Sequence, residues 1–281
     1  MDGITDAIET IVKAAESAQQ GETYLDESDG LLHCSNCHEP RQKQIELLGK
    51  VRKVPVVCSC LAQKYKQEEE EQRIREWNKE IERLRKKGIT DKNYLNSTFA
   101  IDDDSESKPS QVARKYCENF GEMKAMNQGL LFWGEPGTGK SFLAACIANR
   151  LIDNGVSAVM TSLPKLIDAI GADYGANKED IMKQITDCDL LLLDDIGTER
   201  QTTTAYERVF EVIDTRYRAK KPLIVTTNLE IGDLRSPSDE KYKRLYDRIL
   251  EMCLPVRVAG KSKRGKIAVD KAQRTKEILG L

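Results

Sequence analysis

The sequence predicts an α/β fold: a mostly parallel sheet with helices on both faces, preceded by a small cysteine-rich module and a long charged helix. Three observations predict it. Apolar runs at 130–133, 156–161, 190–193, 223–227 and 254–258 alternate with helical patterns at 163–170, 178–186, 203–219 and 240–252, the order in which parallel strands are joined by crossover helices. A glycine-rich turn follows the first run and opens a further helical pattern at Lys140. Four of the eight cysteines gather before residue 61, while Cys117, Cys146, Cys188 and Cys253 are scattered singly.

From the N-terminus, Ile4, Ile8, Ile11, Val12 and Ala15 recur at helical spacing and predict a short amphipathic helix over 4–18. The stretch 31–60 is too short to bury a core of its own and needs a staple. Cys34-x-x-Cys37, twenty residues and Cys58-x-Cys60 supply one, because each pair can present two thiolates from a tight turn to a tetrahedral Zn²⁺. His33 and His38 are the only histidines and flank the first pair, so either could replace one cysteine. The scattered cysteines read as small buried apolar side chains.

A charged stretch over 62–87 then carries nine Lys/Arg and seven Glu, with Ile74, Trp77, Ile81 and Leu84 spaced 3, 4 and 3 apart. That spacing predicts a long exposed helix with one narrow apolar seam, ended by Gly88. The acidic, serine-containing stretch DDDSESKPS, 102–110, reads as a linker or exposed loop. The expected division is 1–61 for the zinc-binding module, 62–94 for the connecting helix and 95–281 for the α/β domain.

The α/β domain carries the chemistry. Gly134, Glu135, Pro136, Gly137, Thr138, Gly139, Lys140 and Ser141 fit GxxxxGK[ST], and Phe142 continues the helix that follows. Backbone N–H groups in such a loop turn toward phosphate oxygens, and the helix N-terminus adds a positive field. Lys140 is placed to reach the β- and γ-phosphates of ATP and Ser141 to ligate Mg²⁺. The 190–193 strand ends in Asp194 and Asp195, the first suited to hold Mg²⁺ and the second to polarise an attacking water. The 223–227 strand ends in Asn228, an amide that can orient the same water.

GEPGTGKS, LLLLDDIG and IVTTNL, in this order and spacing, resemble AAA+ ATPases. The longer strings DTRYRAKKPLIVTTNL and RLYDRILEMC resemble the DnaC/DnaI-type replicative helicase loaders and their close relatives, the IstB-type transposition helper ATPases, over about residues 95–265. The resemblance implies a RecA-like core, oligomerisation around ATP and an arginine finger supplied in trans, which falls on Arg248. It places a sensor-2 arginine at Arg264, next to Lys263, where the family usually has an aromatic residue. Asp195 stands where AAA+ proteins generally carry glutamate, although such loaders often have Asp-Asp, and the shorter carboxylate suits slow hydrolysis. Tyr174 and Tyr206 fall near positions that line a DNA channel in related loaders, where a tyrosine can stack on a base. Some loaders also carry an N-terminal zinc module that contacts the helicase; IstB-type proteins generally lack it. From the residues alone, without the resemblance, Arg248 reads as a helix-surface arginine paired with Asp247 or Glu251.

Composition bounds these expectations. Hydrophobic residues make up 40% and charged residues 32% of the 281, with a formal net charge of −2, which excludes a bulk polyanion binder of the histone kind. Residues 256–281 nevertheless carry eight Lys/Arg against Asp270 and Glu277, a local basic patch suited to phosphate contact or a solvated tail. No apolar run approaches the ~18–20 residues that span a bilayer, and MDGITDAIET lacks the order of a signal peptide. A cytoplasmic protein with no membrane partner is expected. The implied role is an ATP-dependent loader that delivers a hexameric replicative DNA helicase to single-stranded DNA. The alternatives are an IstB-like helper ATPase and an adaptor with ATP as a structural ligand.

Overall fold

The structure, a computed structural model, describes residues 23–47, 49–89, 91–171, 176–197, 203–260 and 262–280. The helix expected over 4–18 lies outside them. Contacts within the chain divide it into two units, residues 1–78 and 79–281.

The first unit contains two antiparallel hairpins, β1 (Thr23–Leu25) with β2 (Leu32–Cys34) and β3 (Gln42–Leu47) with β4 (Lys50–Pro55). Among the described residues its apolar centre is small: Cys34, Cys58 and Leu61 are buried, with Cys37, Cys60 and Tyr65 packed against them. Cysteines thus occupy the place where larger domains put aliphatic side chains. Helix α1 (Ser59–Gly88) starts inside this cluster. Ion pairs one turn apart, Lys64–Glu68, Arg73–Glu70, Arg75–Glu71 and Arg83–Glu80, line its surface, each a minor contribution in water. Ile74 and Trp77 of the expected seam are about half exposed, whereas Leu84 is buried.

In the second unit a five-stranded parallel sheet is ordered β6-β7-β8-β5-β9, with β5 at Gly129–Trp133, β6 at Ala158–Ser162, β7 at Leu190–Ile196, β8 at Leu223–Thr227 and β9 at Cys253–Arg257. Side-chain alternation splits these strands between two cores. Leu130, Phe132, Leu190, Leu192 and Ile224 join one; Leu131, Leu191, Leu193, Leu223 and Val225 join the other. Burial on both faces is why the strands read as continuous apolar runs. Helices α2 (Lys108–Glu118) and α4 (Lys140–Asp153) cover the first face, together with the short α3 (Phe120–Ala125). Helices α5 (Leu163–Gly171), α6 (Ala176–Asp187), α7 (Thr203–Ala219) and α9 (Glu240–Met252) cover the second, with the short α8 (Ile231–Arg235) beside them. The expected α/β class and parallel sheet are therefore observed, and the architecture is AAA+-like.

Arg216 of α7 is fully buried. Its guanidinium donates to the carbonyls of Ile185, Cys188, Asp189 and Pro222 at 3.0, 2.8, 3.2 and 2.6 Å. One planar donor fork thus ties together the segments entering β7 and β8.

Both sheet edges have a specific treatment. At β6, Ile89 forms a parallel bridge to Met160, and a Cβ at Gly88 would lie 2.3 Å from the Ala158 carbonyl oxygen. Only glycine lets the end of α1 come so close. At the other edge, β9 carries Pro255 at its centre.

One expectation is corrected. The 102–110 stretch is not simply a linker: Asp102 has a 1% exposed side chain and accepts a hydrogen bond from the Ser110 hydroxyl. Ser107 then caps α2, its hydroxyl accepting from the Ser110 N–H at 3.4 Å. Acidity and serine content misread as a loop signal what is a buried anchor and a helix N-cap. The basic C-terminal stretch forms helix α10 (Lys263–Leu279), exposed from 271 onward.

Candidate functional site

Strand order explains how distant sequence segments meet. β8 lies between β7 and β5, so the C-terminal ends of these three strands bring together the glycine-rich loop, the Asp pair and Asn228. A crevice at the carboxyl ends of parallel strands is the usual ligand position in such sheets. Here it is a cavity of ≈ 600 Å³ whose lining includes Gly137, Lys140, Ser141, Asp194, Asp195 and Asn228. That size falls within the ~300–1,000 Å³ of small-molecule sites.

The loop is held in the curvature a phosphate cradle needs. Gly134 has φ 134° and its α-carbon faces the Val258 carbonyl oxygen, which an added Cβ would approach to 2.5 Å. Thr138 Oγ1 donates to the Glu135 carbonyl at 2.9 Å. Lys140 is buried, and its Nζ donates to the carbonyls of Gly134 and Glu135 at 2.8 and 2.7 Å. Phosphate oxygens would compete with these neutral acceptors for a charged donor, an exchange that favours the anion.

The acidic side is braced by β8. Thr226 Oγ1 donates to Asp194 Oδ1 at 2.6 Å and accepts from the Asp195 N–H at 2.8 Å. Asn228 Nδ2 donates to Asp195 Oδ1 at 2.8 Å. The pairing of β7 with β8 is irregular between Leu193 and Ile196, and Asp195 sits in the left-handed region with φ 64°. Asp and Asn tolerate that backbone better than longer side chains, a local reason for aspartate where AAA+ proteins generally have glutamate. Asp194 is buried, it and Ser141 both belong to the cavity lining, and the two offer oxygen ligands of the kind Mg²⁺ takes.

The remaining expected residues have different surroundings. Arg248 pairs with Asp214 at 2.5 Å and lies over the rings of Phe210 and Tyr217, 4.5 and 5.4 Å from their centroids. Its partner is thus on α7, not the neighbouring Asp247 or Glu251, and it is not part of the cavity lining in its own chain. Tyr206 donates from its hydroxyl to the Lys241 carbonyl at 2.8 Å and packs against Phe210 and Tyr242. Arg264 belongs to the first turn of α10, but its side chain lies outside the described residues, as does Tyr174. Thr226, Asp103 and Lys263 were missed from sequence. A threonine inside a buried strand is weak notice of a brace, and Asp103 and Lys263 meet only through the fold.

In the first unit, the Sγ atoms of Cys34, Cys37, Cys58 and Cys60 all lie within 4.8 Å of one another. Cys34–Cys60 and Cys58–Cys60 are 3.5 and 3.4 Å apart; sulfurs around a tetrahedral Zn²⁺ are ~3.8 Å apart. The donor set therefore fits zinc. Backbone N–H groups of Cys37 and Asn36 draw the Cys34 thiol down to about 6, while hydrogen bonding with Cys58 first, then Cys37 and Cys34, pushes Cys60 up to about 12. His33 is taken up elsewhere, with Nδ1 2.9 Å from the His38 carbonyl and Nε2 2.9 Å from Asp29. His38 Nδ1 is 3.2 Å from the Tyr24 hydroxyl. The cluster is four cysteines.

Comparison with known proteins agrees with this geometry. The replicative helicase loader DnaC of Buchnera aphidicola subsp. Schizaphis graminum is 28% identical over 207 residues, 64% of this chain and 81% of that protein. DnaC of Escherichia coli K12 is 29% identical over 158 residues, 54% of this chain and 60% of that protein. A crystal structure of the DnaC helicase loader superposes with TM-score 0.52 at 25% identity, covering 60% of this chain and all of that one. A DnaI crystal structure matches at TM-score 0.53 and 21% identity, a likeness of fold, over 64% of this chain and 99% of that one. Among the described residues, no helix is long and apolar enough to cross a membrane. The family profile of IstB-like ATP-binding proteins matches residues 69–271, a span that takes in the phosphate loop, the Asp pair and Asn228, and the chain is accordingly a member of the IstB-like ATP-binding protein family.

Proposed function

We propose that this chain is a Mg²⁺-dependent ATPase that loads a hexameric replicative helicase onto single-stranded DNA. The observation that carries the ATPase reading is that Asp194, Asp195 and Asn228, tied together through Thr226 and the Asn228 amide, line the same cavity as Lys140. Lys140 and the loop amides bind the phosphates, and Ser141 with Asp194 would hold Mg²⁺, which would supply charge neutralisation to the phosphates. Asp195, oriented by Asn228, polarises the attacking water. The loader reading is supported by likeness to DnaC over the full length of its solved chain.

In this reading the four cysteines hold a structural zinc, and the small unit they staple, with α1, docks the helicase. Copies of the chain assemble side by side around ATP, with Arg248 of one reaching the γ-phosphate of the next. Within one chain Arg248 is clasped by Asp214 and two aromatic rings, so assembly presents this guanidinium on a fixed mount or draws it off the clasp. The family profile is that of IstB-like ATP-binding proteins, and the resemblance to transposition helpers of the IstB kind gives the test two arms. Tagged full-length protein with Asp195→Asn, incubated with ATP in its own cell extract, is expected to retain a hexameric helicase. Recovery of a transposase without helicase rejects the loader role; ATP binding without turnover in the unmutated protein rejects the ATPase.

A further inference from the structure

Lys263 is the first residue of α10 and sits against the phosphate loop. Its N–H donates to the Gly137 carbonyl at 2.9 Å, and its side-chain carbons lie 3.6 and 3.8 Å from where a Cβ of Gly139 would be. The ammonium is 5.5 Å from the Phe142 ring centroid and belongs to the lining of the same cavity as Lys140 and Ser141. Its partners come from the acidic run 102–104: Nζ donates to Asp103 and is 3.7 Å from Asp102. Partial burial works against the Lys263 charge, but the carboxylates of Asp103, Asp102 and Asp104 together outweigh it and hold the ammonium above the usual lysine range.

The two carboxylates differ in what they can give up. Asp102 has a 1% exposed side chain and keeps Ser110 as a second partner, so it is anchored. Asp103 is 62% exposed and returns to water at little cost. We propose that Lys263 is a nucleotide-contacting residue held in reserve by Asp103, and that ATP phosphates exchange for this carboxylate on the ammonium, loosening the 101–104 segment over the site. Resting on the nucleotide reading of the cavity, the proposal assigns the second cationic contact to Lys263. Asp103 acts as a built-in competitor, so occupancy of the site is reported to the segment leading into α2.

The test titrates the full-length protein with a methylanthraniloyl-labelled ATP. Lys263→Met keeps the stem on Phe142 and is expected to weaken binding about tenfold, the weight of one partly exposed charge-assisted hydrogen bond. Lys263→Arg restores it. Asp103→Asn tightens binding several-fold, and this gain disappears when Lys263→Met is also present, because the two residues act through one contact. Amide hydrogen exchange over 100–107 rises on adding ATP in the unmutated protein and starts high in Asp103→Asn. Lys140→Ala separates the two levels. If it binds as the unmutated protein does, the cavity reading fails; if it loses binding while Lys263→Met keeps full affinity, only the exchange fails. An Asp103→Asn gain that persists beside Lys263→Met also overturns it.

Discussion

Asn228 donates its side-chain amide to Asp195 Oδ1 at 2.8 Å, across from one strand end to its neighbour. This pair fixes where a carboxylate oxygen points from a backbone that is itself unusual, since Asp195 has φ 64°. Asn228→Ala is therefore expected to bind ATP within about threefold of the unmutated protein yet hydrolyse it ~10²-fold more slowly, the scale of losing a positioning contact. Asp195→Asn should keep binding and stop hydrolysis. Steady-state turnover alongside labelled-ATP titration checks both, and Asn228→Ala turning over at the unmutated rate removes the amide from the mechanism.

Asp195→Glu carries a further expectation. A longer side chain on a left-handed backbone brings strain and moves its oxygens away from the Asn228 amide. Turnover should fall, not rise, despite the restored glutamate. A single-turnover assay reading faster hydrolysis would show that side-chain length, not the brace, limits this site.

Zinc analysis of protein purified without chelator is expected to return one zinc per chain. Cys37→Ser should release the metal and unfold the first unit, whose apolar centre consists largely of the cysteines themselves, while residues 79–281 stay folded. Circular dichroism and protease mapping of the full chain distinguish this from global unfolding. A metal content near zero, with the unit still protected, would return the cluster to four packed thiols.

Arg216 offers a stability test. Replacement by Met leaves four carbonyls short of a donor at the strand entrances, a loss of ~3 kcal/mol or more and ~6–12 °C in Tm for a unit of this size. Arg216→Lys should recover little, because one ammonium cannot span the same carbonyls as a planar fork. Equal melting of the Lys variant and the unmutated protein contradicts the staple.

Arg248 separates assembly from packing. Arg248→Ala is expected to bind ATP but to lose the rise of specific activity with protein concentration, and mixing it with Lys140→Ala should restore some turnover at shared interfaces. Because the variant loses the Phe210 and Tyr217 ring contacts and one of the two arginines on Asp214, which keeps Arg218 at 2.7 Å, it should also melt slightly lower. A lower Tm with concentration-dependent turnover intact assigns Arg248 to packing alone.

The sheet was legible because strands buried on both faces are unbroken apolar runs, and the helices at 203–219 and 240–252 fall where their periodicity puts them. The phosphate loop, the Asp pair and the cysteine cluster were legible because each is set by spacing within a short stretch. What stayed hidden depends on partners far along the chain. Asp102 and Asp103 read as solvent-facing until Ser110 and Lys263 are placed beside them, about 160 residues away in the case of Lys263. Thr226 reads as filler until strand order sets it against Asp194. The aromatic and acidic neighbours of Arg248 come from α7, which no pattern around YDRI announces.

The treatment of the sheet edges bears on how copies of this chain can join. With Ile89 bridged to β6 and Pro255 centred in β9, neither margin offers a full row of backbone donors and acceptors to an incoming strand. In the proposed assembly, contacts between copies would then fall to side chains, which can be made and broken as the contents of the cavity change. A continuous intermolecular sheet would instead be slow to part, an irreversible union that the proposed nucleotide-dependent assembly would have reason to keep out of reach.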